Sequence, residues 1–168
     1  MVWRGRTTIP ERLLSALPYI LTISVGLLFA RPLITKIPFL YGILAPLFAL
    51  AFALAPFTMG FFGLIPFFIL YVAVVRNSNV LHFIRYNTAL SILIDIALSL
   101  ANLALSLILE VFGSIGSIGH LITGVLVPSV GVAALGCCGY AIAFVIQGKY
   151  AEMSALSDAS YRLTGDGY

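Results

Sequence analysis

One stretch of this sequence gathers polar atoms in a pattern that could do chemistry. Across residues 88–109, Thr88, Ser91, Asp95, Ser99, Asn102 and Ser106 follow one another at steps of three, four, four, three and four. The mean step is one turn of an α-helix, so all six share one narrow edge. Nearly every other position in the stretch is Leu, Ile or Ala. A carboxylate such as Asp95 costs roughly 2.5–3.5 kcal/mol at the centre of a bilayer on insertion scales. It must therefore face a partner, water or a proton. Two readings stand. The edge is a helix–helix seam held by hydrogen bonds, or it lines a hydrated path. No basic residue stands near Asp95 in the chain. Arg85, the nearest on its own helix, is almost three turns away.

A second group precedes this edge. His82, Arg85 and Tyr86 share a helical face at i, i+3 and i+4, just after Arg76 and a polar turn. Leu81, Phe83 and Ile84 supply the apolar side. This reads as an amphipathic entry lying among lipid headgroups, where it anchors the chain or meets phosphate or an acidic partner. A third group is Ala133, Cys137 and Ala141, spaced by fours, with Gly131 and Gly139 close to the same face. Small residues at this spacing predict close helix packing. The adjacent Cys137 and Cys138 match no metal spacing and no redox pair. There is no paired carboxylate site, no HExxH, no Ser/His/Asp set and no glycine-rich phosphate loop. An enzyme, a bound metal and a cofactor are therefore not expected.

The elements that hold these groups are membrane spans. Of 168 residues, 61% are hydrophobic and only 9% charged, with a mean hydropathy of +1.11. Soluble domains carry about 25% charged residues. Nine basic and six acidic residues leave a net charge of +3, too sparse for a nucleic-acid surface. The expected fold is an all-α polytopic bundle in a single membrane domain. Its four transmembrane helices fall at about 13–30, 59–75, 88–109 and 121–146. A short apolar segment at 38–56, interrupted by Pro46, either spans or dips in as a re-entrant or interfacial element.

The first helix starts at Thr8 with Glu11 three residues on, as in a capping box, and Pro10 in its first turn. It reads as an uncleaved helix rather than a signal. His120, after a flexible Gly/Ser link at 113–119, falls at the far interface. With four spans, Arg4, Arg6, Arg12, Arg76, Arg85, Lys149 and Arg162 share one side, and Arg31 and Lys36 the other. The positive-inside rule then places both termini on the cytoplasmic or stromal side.

Three blocks of the sequence are similar to a known family. The first is Trp3-Arg4-Gly5, Thr7-Thr8, Arg12 and Leu17-Pro18-Tyr19. The second is Val75-Arg76-Asn77, His82-Phe83-Ile84-Arg85-Tyr86-Asn87 and Ile92-Leu93-Ile94-Asp95. The third is Gly148-Lys149-Tyr150-Ala151-Glu152, Ser157-Asp158-Ala159 and Tyr161. In order and content they resemble the Tic-twenty family, the membrane subunit of the translocon at the inner envelope of chloroplasts, with cyanobacterial relatives.

The resemblance implies a four-helix membrane protein that moves proteins across a membrane. It also implies other translocon subunits as partners and unfolded polypeptide as cargo. Land-plant members carry a transit peptide before the helices. Its absence here suggests a cyanobacterial or plastid-encoded chain, in the cell or thylakoid membrane or the plastid inner envelope. The alternative is a non-transporting scaffold of a larger membrane complex, photosynthetic or other. A four-helix bundle is barely wide enough to enclose a polypeptide, so a channel would need several copies or further subunits.

Overall fold

The structure, a computed structural model, describes residues 7–58, 64–113 and 116–164. Trp3, Arg4, Gly5 and Arg6, the start of the expected span at Met59 and the middle of the 113–119 link lie outside them. Every regular element among the described residues is helical. We number six: α1 (Ile9–Ile34), α2 (Pro38–Thr58), α3 (Leu64–Leu70, continued by a π turn over Tyr71–Val75), α4 (His82–Phe112), α5 (Gly116–Ile146) and α6 (Ser154–Thr164).

Helix α1 begins as its sequence predicts. The Glu11 carboxylate accepts the Thr8 backbone N–H at 2.8 Å, satisfying one of the orphan donors of a helix start. Pro18 has no N–H to give, and the helix passes it after a local irregularity at Leu17. A π turn over Ile122–Leu126 interrupts α5 just before Pro128, which leaves the Gly124 carbonyl without its usual donor.

Four helices are long and apolar enough to cross a membrane: α1, α2, α4 and α5. The apolar segment at 38–56 forms a longer helix than expected. The segment expected to be short, 38–56, is one helix of 21 residues with Pro46 inside it. At 1.5 Å per residue that is about 31 Å, enough for the hydrocarbon core. The segment expected to span, 59–75, shows helix only from Leu64 within the described residues. Proline ends a helix in water more readily than in lipid, where nothing outside competes for the remaining backbone bonds.

The core forms where α1, α4 and α5 meet. Tyr19, Tyr86, Leu90, Ile94, Leu98, Ala134, Cys138, Ala141 and Val145 are buried together. Helices α1 and α5 approach closely at two glycines. A Cβ on Gly131 would lie 2.5 Å from the Ala30 nitrogen and 2.7 Å from the Gly26 carbonyl oxygen. The buried seam of α5 is Gly131, Ala134, Cys138, Ala141 and Val145. Of the expected packing trio, Ala141 is buried, Cys137 half-buried and Ala133 exposed. Steps of four drift by about 40° per step around a 3.6-residue helix, whereas steps of three and four in alternation stay on one face. Gly139 has no neighbour where a Cβ would stand.

Outward, the bundle is oily. Helix α2 buries only Phe48 and Ala51 and leaves Phe39, Ile43, Leu47, Leu50, Phe52 and Phe57 exposed. A helix apolar all round and exposed all round belongs in lipid. The chain is thus an integral membrane protein by length, composition and surface.

Candidate functional site

Two polar regions lie along α4. The first is at its N-terminal end, where the chain's basic residues collect. Arg85 reaches two helix C-termini at once. Its Nε donates to the Val75 carbonyl at 2.9 Å and its Nη2 donates to the Thr164 carbonyl. Both carbonyls lie at helix ends, where backbone acceptors lack intrahelical donors and the dipole favours a cation.

His82 faces the same tail. Its Nδ1 lies 2.9 Å from the Tyr150 hydroxyl and its Nε2 3.3 Å from the Thr164 Oγ1. Thr164 Oγ1 donates back to the Ser160 and Tyr161 carbonyls, both at 3.1 Å. The network is satisfied when Nε2–H donates to Thr164 and Nδ1 accepts from Tyr150. The Tyr86 hydroxyl donates to the Ala151 carbonyl at 2.8 Å. The Tyr86 ring packs on Tyr161 and Tyr150 at centroid distances of 4.7 and 5.0 Å. Arg76 stays exposed at the end of the π turn.

Arg12 performs the same task nearby. Its Nη1 donates to the Ile146 carbonyl at 2.8 Å and its Nε to the Thr7 hydroxyl at 3.1 Å. Helix α5 ends there in a Schellman turn. Gly148 N–H donates to Val145 O and Lys149 N–H to Phe144 O, both at 2.9 Å, with Gly148 at φ +71°. A Cβ on Gly148 would lie 2.4 Å from the Thr7 hydroxyl oxygen.

The described parts of the three sequence blocks, far apart in the chain, therefore meet at this end. Tyr19 of the first donates to Asn87 Oδ1 of the second at 3.3 Å, and the second holds the third through His82 and Tyr86, with Arg85 binding Thr164 just beyond it. Interfacial anchoring was the simplest sequence reading of His82, Arg85 and Tyr86. In the structure they hold the chain's own tail. Sequence reasoning missed Arg12, Tyr150 and Thr164. The only signal for them was their presence in or beside the blocks.

The second region is the polar edge itself, and the structure divides it. Thr88 and Ser91 are buried. Thr88 Oγ1 donates to the Ile84 carbonyl at 2.8 Å, and the Ser91 and Thr22 hydroxyls pair at 2.8 Å between α4 and α1. Asp95 is half-buried beside Thr22 and Cys138. Its Oδ1 is buried and has no hydrogen-bond partner among the described residues. Past the buried Leu98, Ser99, Asn102 and Ser106 are all exposed. Ser106 turns its hydroxyl back to the Leu103 carbonyl at 2.9 Å. Glu110 continues the same edge, also exposed, a residue the sequence pattern had left out.

Depth follows from the helix rise. Taking Tyr86 as the boundary, Asp95 lies about 13 Å and Asn102 about 24 Å along α4, both within a core about 30 Å thick. Glu110 falls beyond it. The edge can accept and donate hydrogen bonds at a depth where lipid offers none. Among the described residues no group of three or more His, Cys, Asp or Glu side chains could hold a metal.

Comparison with known proteins agrees with this architecture. A family model described as "Chloroplast import apparatus Tic20-like" matches residues 6–160. A relative named Tic20 family protein, from Synechocystis sp., is 36% identical over 152 residues, covering 90% of this chain and 91% of the relative. The family match spans the basic-end cluster, the polar edge and the α1–α5 seam together, and this chain belongs to the Tic20-like family of the chloroplast import apparatus.

Proposed function

We propose that this chain is a membrane subunit of a protein translocon, and that the exposed half of the α4 edge is its wall of a polypeptide path. One observation carries the reading. Ser99 and Asn102 present polar atoms to the outside of the bundle at hydrocarbon depth. Acyl chains cannot satisfy them, and an amide left unpaired in an apolar medium costs on the order of 2–7 kcal/mol. Water, a passing backbone or another subunit can. A single chain of this width does not enclose a polypeptide, so further subunits or copies complete the path.

In this reading α1, α2, α4 and α5 cross, and α3 packs against Ala89 and Ile92 of α4 without crossing. The seven-to-two division of basic residues is then unchanged, because α2 takes the place of the 59–75 span. Both termini lie on the basic side, cytoplasmic in a cyanobacterium or stromal in a plastid.

Single cysteines test the path. At 99, 102 and 106 they should react with a membrane-impermeant thiol reagent in the assembled complex. At 104 and 108, exposed on the opposite flank of α4, they should not. Equal protection at both sets rejects the hydrated path and leaves the scaffold role.

A further inference from the structure

We propose that Asp95, Thr22 and Ser91 form a binding site for a monovalent alkali cation, inside the membrane at the junction of α1 and α4. Binding there needs no polypeptide, although the site opens onto the same exposed edge of α4 that the proposed path uses.

The first observation is the unpartnered oxygen. Among the described residues Asp95 Oδ1 is buried without a hydrogen-bond partner, although the Thr22 hydroxyl reaches the same carboxylate. The Thr22 hydroxyl interacts with the Asp95 carboxylate, and it also lies 2.8 Å from the Ser91 hydroxyl and 3.4 Å from the Ser91 carbonyl, one helical turn before Asp95. These are hard oxygen donors, the set that alkali and alkaline-earth cations take. Cys138 on α5 lies near Asp95 as well.

The second observation is where positive charge is missing. No Lys or Arg lies between Arg12 and Arg31, between Lys36 and Arg76, or between Arg85 and Lys149. Among the described residues every basic side chain sits at or near a helix end. The counter-charge for Asp95 at this depth cannot come from the chain, yet a bare carboxylate there is costly.

Charge balance then selects the valence. One carboxylate and two neutral hydroxyls sum to one negative charge. A monovalent cation leaves the site neutral. A divalent cation would leave an uncompensated positive charge in hydrocarbon. Entry is from the exposed edge, since Ser99 lies one turn from Asp95 and is open.

Thermal unfolding of the full chain in detergent tests the site. Sodium, potassium and lithium chloride are compared with choline chloride at equal ionic strength and pH. At least one alkali chloride should raise the midpoint by several degrees and saturate, while choline should not. Asp95→Asn should abolish the response. Thr22→Val should raise the half-saturating concentration about tenfold, the loss of one ligand of roughly 1.4 kcal/mol. Identical midpoints in all four salts overturn the site. So does a midpoint that follows pH but not the alkali ion, which would mean that a proton fills it. An undiminished response in Asp95→Asn overturns it as well. Should that variant fail to fold, an unchanged half-saturation in Thr22→Val does the same.

Discussion

The two ends of α4 carry similar numbers of polar side chains and treat them in opposite ways. At the N-terminal end, Arg85, His82, Tyr86 and Asn87 all find partners within the chain. From Asp95 onward the same helix presents a free carboxylate oxygen and open Ser99 and Asn102 side chains. A network satisfied internally reports on how the molecule holds itself together. Polar atoms left unsatisfied at membrane depth report on something that arrives from outside. The basic end holds the chain's own elements together, and the far half of the edge is the part left open, the half that the proposed path would use.

Substitutions can break this division. The largest effect belongs to Arg85→Ala, which strips the Val75 and Thr164 carbonyls of a charged donor. A loss of about 3 kcal/mol is expected, at roughly 1.5–3 kcal/mol for each bond to a charged group before partial rehydration. Denaturant unfolding should register it, and hydrogen exchange should show α6 opening while α5 stays protected. Gly148→Ala comes next. Its φ of +71° and its contact with Thr7 set the cost at roughly 1–3 kcal/mol, read in the same unfolding curve.

Tyr150→Phe removes one hydroxyl from His82 and should cost about 1 kcal/mol. The ring contacts with Phe83 and Tyr86 remain. The smallest effect on folding belongs to Asn102→Leu. It should leave the isolated chain within about 0.5 kcal/mol of wild type or slightly more stable, yet impair transport or assembly in the native membrane. Destabilisation by Asn102→Leu as large as that of Arg85→Ala would erase the contrast between the two ends.

The polar edge was legible because helix period acts on any sequence: steps averaging 3.6 residues place six side chains on one line whatever surrounds the helix. The three family blocks were legible as strings. Neither said which side chains touch. That His82 and Arg85 hold the tail rather than lipid depends on a 68-residue separation to Tyr150 and a 79-residue one to Thr164. No local pattern records such distances. The seam of α5 was misplaced by one residue because Ala133 and Ala134 are alike in size, and only the approach of α1 at Gly26 and Ala30 distinguishes them. The reach of the 38–56 segment was open in the sequence because Pro46 interrupts its apolar run, whereas the structure carries one helix through Pro46 from Pro38 to Thr58.

By itself, then, the order of residues determined a lipid-embedded helical protein with its cations at the helix ends and one polar line along α4. Burial and periodicity are properties of short stretches, and composition settles them. The tertiary structure decided which half of that line is covered. Helix α1 brings Tyr19 and Thr22 to Asn87 and Ser91, and past Asp95 the edge is open. Whether a hydroxyl is paired or exposed is settled by which neighbour the fold brings to it, and that neighbour is about seventy residues away.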